Sequence, residues 1–193
     1  MRVNTPQYEN FRRSLRPTPP APLYTPEQRV RRDASKWTLV QGILAPVQFL
    51  IFIVSLVLVL RYLQTGEGAF AATISIVVKT MALYTIMVTG AIWEKVVFGK
   101  YLFADAFFWE DVFSFLVIAL HTTYLVMLIG DYGTERGRML VALAAYATYV
   151  INAVQFILKL RAARLQAARE EAEAVEPAPE AFAPEMPLQA LAA

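Results

Sequence analysis

Trp93-Glu94-Lys95 opens, and Phe107-Phe108-Trp109-Glu110-Asp111 closes, a short connection that then runs through an apolar segment to His121, the one histidine of the chain. On either side lie segments long and apolar enough to cross a bilayer. The acids, aromatics and histidine therefore gather at one membrane face and just inside it, where hydrocarbon does not accommodate them without compensation. This stretch reads as the mouth of an active site, and the rest of the chain as a four-helix frame around it.

The composition agrees. Of 193 residues, 57% are hydrophobic, and the apolar residues come in blocks, as in an integral membrane protein. The chain has no cysteine, which excludes disulfides, iron-sulfur clusters, thiolate-bound metals and cysteine nucleophiles. The formal charge of +2 is small, and the placement of the basic residues reports topology; no nucleic-acid partner is expected.

Residues 1–23 are rich in Arg, Asn and Pro, and read as a disordered tail without a signal peptide. Order is expected from Thr25-Pro26-Glu27-Gln28, where Thr25 caps, Pro26 suits the first helical position and Gln28 completes a capping box. Arg29, Arg31, Arg32 and Lys36 follow, then Trp37, which predicts a short basic helix lying along the cytoplasmic interface.

Four spans are predicted, at about 38–62, 70–93, 111–129 and 137–160. In the first, Gln41 and Gln48 are seven residues apart and so share a face to within about 20°. They serve either as hydrogen bonds between helices or as the lining of a polar cavity. Lys79, in the second, lies about 21 Å from Trp93 along the axis, where it either snorkels outward or binds an anion. Glu94 stands at a helix C-terminus, where the dipole disfavours an acid. Between spans two and three, an aromatic connection with bends at Gly99 and Asp105 is expected to lie against the bundle as a lid.

Glu110 and Asp111 suit the first turn of the third span. His121 falls within about 20° of Glu110 on the same face, and is a bond to a neighbouring helix, a metal ligand or a proton carrier. Tyr149, Asn152 and Gln155 give the fourth span one polar face. Lys159, Arg161, Arg164 and Arg169 follow, and with the N-terminal arginines they predict both termini in the cytoplasm. Residues 167–193, mostly Ala, Glu and Pro, read as a second disordered tail. The polar intramembrane groups thus fall mainly in the cytoplasmic half, which predicts a cavity open there, suited to a flat apolar molecule with a polar handle.

Several runs carry a resemblance: Tyr24-Thr25-Pro26-Glu27-Gln28-Arg29, Trp37-Thr38-Leu39-Val40-Gln41-Gly42, Trp93-Glu94-Lys95, Phe107-Phe108-Trp109-Glu110-Asp111 and Ala145-Tyr146-Ala147-Thr148-Tyr149-Val150-Ile151-Asn152. Together they resemble the 2-vinyl bacteriochlorophyllide hydratase family, over about residues 23–166, with residues 24–166 as the membrane domain. The resemblance implies addition of water to the 3-vinyl group of chlorophyllide a or a related bacteriochlorophyllide, giving a 1-hydroxyethyl group, in the inner or photosynthetic membrane of a bacterium. It implies a tetrapyrrole substrate that brings its own magnesium and no separate cofactor. It carries no assigned catalytic set.

Such a reaction needs an acid able to protonate carbon, a base for water and walls that shield the intermediate cation. Glu110, set against Trp109 and Phe108, is the first expectation for the acid, because desolvation favours the protonated carboxyl. Asp111 or Glu94 is the expected base. His121 is placed in the catalytic group as an axial ligand to the substrate's magnesium, against that metal's preference for oxygen. Gln41, Gln48, Trp93, Lys95, Phe107, Phe108, Trp109, Asn152 and Gln155 are expected to bind substrate, with Lys95, Lys100 or a juxtamembrane arginine on its propionate. A pigment carrier or assembly protein, which needs no carboxylates, is the alternative, and a haem anchor would lack a second histidine. Membrane lipid is an expected partner, with a second copy or other enzymes of the pathway left open.

Overall fold

The computed structural model describes residues 22–175. Among these it contains five helices and no strand: α1 (Pro26–Ala34), α2 (Lys36–Thr65), α3 (Ala69–Phe98), α4 (Phe108–Ile129) and α5 (Glu135–Val175). Helices α2 to α5 are each long and apolar enough to cross a membrane. The 30 residues of α2 extend about 45 Å, well beyond a hydrocarbon core of about 30 Å.

The punctuation follows local chemistry. Thr25 accepts from the Gln28 amide at 3.3 Å while the Gln28 side chain accepts from the Thr25 amide at 2.9 Å, so the capping box forms. Ser35 ends α1 and its hydroxyl caps α2 through the Trp37 amide at 3.2 Å, so the two helices meet at a bend of one residue. Gly66 and Gly99 end α2 and α3 with positive φ of 74° and 84°, a conformation that glycine adopts without steric cost.

Several boundaries differ from the sequence expectation. Helix α3 continues past Trp93 to Phe98, so Glu94 sits inside its last turns with its side chain turned in. Phe108 and Trp109 belong to α4, and the connection shortens to residues 99–107. Helix α5 runs to Val175, so residues 167–175, expected in the tail, are helical. Their Ala, Arg and Glu are strong helix formers, and the first proline after them is Pro177. The remaining tail expectations, for residues 1–21 and 176–193, lie outside the described residues.

The most extensive packing is between α2 and α3 and between α4 and α5, giving two helical hairpins that meet less closely. At the Gly66 end they close over Phe52, Val59, Ile76, Tyr124, Met139 and Tyr146. Here Ala72, Ala142 and Ala145 are fully buried, and small side chains let helix backbones approach. At the Trp93 end a smaller cluster of Tyr24, Val97 and Phe107 joins the segment before α1 to α3 and the connection. Between these clusters the hairpins part.

Candidate active site

The space between the hairpins is a cavity of about 960 Å³, near the top of the range of roughly 300–1,000 Å³ for small-molecule sites. Its walls are mainly apolar, with Phe49, Leu83, Met87, Trp93, Phe107 and Phe156 among them. Polar groups enter at a few places: Gln41 and Gln48 from α2, Glu94 from α3, Asp111 and Ser114 from α4, and Tyr149 and Asn152 from α5.

Glu94 and Asp111 are 6% and 4% exposed, and their side chains are near enough to influence one another electrostatically. Each also fastens the connection. The Ala104 amide donates to Glu94 Oε2 at 3.3 Å and the Phe103 amide to Asp111 Oδ2 at 2.7 Å. Phe103 takes up a left-handed backbone, φ 57°, which brings these successive amides onto the two acids and stacks its ring on Phe115. Two buried carboxyl groups placed close together repel one another when both are ionised, which favours one of them holding a proton. One wall of the cavity thereby carries two neighbouring buried carboxyls.

Glu110 is placed differently from the sequence expectation. Its Oε2 lies 2.6 Å from Lys159 Nζ, and it does not line the cavity. Sequence position alone could not show that a lysine 49 residues away comes to meet it. The aromatic neighbours given to Glu110 also turn outward, with Trp109 67% exposed. Lys159 lies 5.0 Å from the Phe107 ring centroid, which ties the ion pair to the cavity wall.

Trp93 donates from Nε1 to Thr38 Oγ1 at 2.9 Å, and Thr38 donates to the Arg32 carbonyl at 2.6 Å. This relay fixes the indole as a wall and joins α1, α2 and α3. Gln41 donates to Thr89 Oγ1 at 2.7 Å. Asn152 Nδ2 bonds Ser114 Oγ at 2.8 Å, tying α4 to α5 within the second hairpin. These glutamine and asparagine side chains therefore serve both functions left open by the sequence, bonding between helices and lining the cavity. At the mouth, the Arg32 guanidinium hydrogen-bonds Asp33 and holds its carboxyl below the usual range, while burial pushes the Tyr24 hydroxyl above its ordinary value.

Of the other expected site residues, Lys95 Nζ caps its own helix through the Gly99 carbonyl at 2.8 Å. Lys95, Phe108, Trp109, Gln155 and His121 are not among the lining residues. His121 is fully buried, about 10 Å further along α4 than Ser114. Its Nδ1 donates to the Val117 carbonyl at 2.8 Å, and its ring lies 5.8 Å from that of Tyr146. Lys79 is 0% exposed, so it does not snorkel; its Nζ lies 3.7 Å from the Tyr149 ring centroid. His121, Lys79, Tyr146 and the Ser55 hydroxyl that bonds Tyr146 form a polar layer beneath the cavity, with Tyr149 between. The sequence reading missed Thr38, Ser114 and Phe156 as lining residues, and of the juxtamembrane arginines after the fourth span the lining includes Arg164. Ser114 was findable, since it follows Asp111 by three residues and precedes His121 by seven on one face.

Among the described residues, no group of three or more His, Asp or Glu side chains is arranged to hold a metal ion. The sequence model described as 2-vinyl bacteriochlorophyllide hydratase matches residues 24–162, an interval that includes Glu94, Asp111 and most of the cavity. A protein of Rhodobacter capsulatus named 2-vinyl bacteriochlorophyllide hydratase is 72% identical over 150 residues, covering 78% of this chain and 87% of that relative. A protein of the same name from Cereibacter sphaeroides is 70% identical over 157 residues, covering 78% of this chain and 96% of the relative. No solved structure matches the chain.

Proposed function

The chain belongs to the 2-vinyl bacteriochlorophyllide hydratase family, and from that premise we propose that it hydrates the 3-vinyl group of chlorophyllide a or a related bacteriochlorophyllide, in the cavity between the hairpins and with the Glu94–Asp111 pair as its acid and base. The observation that carries this reading is the pair itself: two buried acids face each other in the wall of a cavity large enough for a macrocycle.

The chemistry balances on these two groups. The protonated carboxyl gives its proton to the terminal vinyl carbon, and the resulting cation at the inner carbon is delocalised into the conjugated ring. Water adds to the inner carbon, and its surplus proton passes to the carboxylate. One proton leaves the pair and one returns, so the product is a 1-hydroxyethyl group and the pair ends with the proton count at which it began. Proton exchange between the carboxyls restores the starting state. Holding acid and base in place before the substrate arrives is what general acid and base catalysis requires, and the Phe103 and Ala104 amides do this holding.

Trp93, Phe107 and Phe156 supply the apolar wall that keeps other nucleophiles from the cation. Gln41, Gln48 and Asn152 orient the polar rim of the pigment. Lys159 balances Glu110, which keeps an unpaired charge away from Asp111. No redox step occurs, so no separate cofactor is required, and the magnesium arrives with the substrate. His121 acts as part of the polar layer that supports the cavity floor.

The protein is a multi-pass membrane protein by its four long apolar helices. We assign it to a bacterial inner or photosynthetic membrane, with both termini in the cytoplasm and α1 lying along that interface among anionic headgroups, from the arginines of α1 and of the end of α5. The cavity mouth, at the Trp93 end, then opens toward the cytoplasmic leaflet, from which an amphipathic pigment partitions.

Substitution tests the assignment. Glu94→Gln and Asp111→Asn are each expected to lower turnover of chlorophyllide a by at least about 100-fold while leaving pigment binding, followed by absorption, in place. Full turnover in both variants would remove the pair from the mechanism.

A further inference from the structure

The reaction uses one region of the cavity and leaves its mouth without a task. The cations lining the cavity are Arg29, Arg32 and Arg164, and all lie at the Trp93 end. They come from two elements, α1 and α5. Arg32 is already engaged, donating to Asp33 at 2.8 Å and lying 4.7 Å from the Tyr24 ring centroid. Arg164 makes no hydrogen bond or ion pair with the described residues. It belongs to a lining face that runs along α5 through Tyr149, Ala153, Phe156, Leu160 and on to Ala167, and it is the charged member of an otherwise uncharged stripe.

The depth of this cation suits a particular group. Lys159, bound to Glu110 beside Asp111, marks the level of the acid pair on α5. Arg164 follows five residues later, about 7.5 Å nearer the mouth. A chlorophyllide carries its vinyl group on one pyrrole ring and a free propionic carboxyl on the neighbouring reduced ring, a separation of the same order. With the vinyl at Glu94 and Asp111, the carboxylate reaches the mouth, and the uncharged body of the macrocycle fills the apolar depth toward Leu83 and Tyr149.

We propose that Arg164, backed by Arg32, binds the free propionate carboxylate of the tetrapyrrole, and so determines which edge of the macrocycle meets the acid pair and restricts the site to unesterified pigments. The inference rests on the vinyl-hydratase reading. A guanidinium is suited to the task because its planar donors match a carboxylate in two parallel hydrogen bonds, and a juxtamembrane position keeps the charge in the headgroup zone while the pigment body is buried. Arg164 is a specificity residue; the carboxyls act on the vinyl without it.

The test compares chlorophyllide a with its propionate methyl ester as substrates of the detergent-solubilised full chain. The unmodified protein is expected to show a KM for the acid at least about tenfold below that for the ester. In Arg164→Gln the acid's KM should rise to that of the ester, Arg164→Lys should recover part of the difference, and Arg169→Gln, at an exposed position that does not line the cavity, should behave as the unmodified protein. Equal KM values for acid and ester in the unmodified protein would overturn the proposal and leave Arg164 to lipid headgroups. An acid preference retained in full by Arg164→Gln would overturn it too, since another group would then hold the carboxylate. Absence of product from both pigments would be the failure of the hydratase reading itself, and is distinguishable from the first two outcomes.

Discussion

Glu94 is the residue whose position most needs a reason. An acid near a helix C-terminus works against the dipole, and burial adds to the cost. The bond from the Ala104 amide offsets part of that cost, and the proposed sharing of one proton with Asp111 would remove one of the two charges. The sequence exposed Glu94 through its disfavoured place, and exposed Asp111 only as one of two acids in a first turn. It favoured Glu110 over Asp111, since adjacent acids look alike until the distant Lys159 is brought to one of them. The ion pair predicts a graded result. Glu110→Gln should reduce turnover by less than Asp111→Asn does, with steady-state rates on chlorophyllide a as the measure, and equal losses would return Glu110 to the chemistry.

The polar layer beneath the cavity makes an opposite prediction at the same scale. Lys79 and His121 are buried and stand apart from the lining, so they matter for packing. Lys79→Met replaces a buried amine that has no hydrogen-bond partner in the structure by an apolar chain of similar shape. Such exchanges are nearly neutral or stabilising, so its thermal midpoint in detergent should be equal or higher with hydration retained. A loss of turnover without loss of stability would give Lys79 a part in the reaction.

Among the elements, the connection of residues 99–107 does most to shape the site. It was legible as an aromatic segment lying against the bundle, from its phenylalanines and its two bends. Its anchoring by backbone amides was not, because amide donors leave no trace in side-chain pattern. The same holds for the relay from Trp93 to Thr38 to the Arg32 carbonyl, which joins three helices through a threonine with no distinguishing context. Thr38→Val keeps the shape and removes the hydroxyl. It is expected to cost about 1 kcal/mol of stability and to release the indole, seen as a change in Trp93 fluorescence; an unchanged spectrum and midpoint would show that packing alone fixes the indole.

At the scale of the whole molecule, four apolar helices were legible because hydrocarbon imposes length and composition on a span. Their ends were less so: α3 and α5 run past their apolar windows, in α5 because helix formers continue after the greasy segment. The two hairpins and the cavity between them follow from where small residues fall, Ala72, Ala142 and Ala145 closing one end and bulky aromatics holding the other apart. Orientation is a further expectation at this scale. The absence of cysteine makes it simple to check: Lys100→Cys should react with an impermeant maleimide only from the cytoplasmic side, and Glu67→Cys only from the opposite side. The reverse pattern would invert the assigned topology.

The most direct measurement of the central claim is turnover of chlorophyllide a by the purified protein in oxygen-18 water, with no added cofactor, followed by mass spectrometry. The predicted result is a product heavier by one labelled water, formed by the unmodified chain and lost in Glu94→Gln and Asp111→Asn. A tight pigment complex that yields no hydrated product would contradict the account and make the protein a carrier.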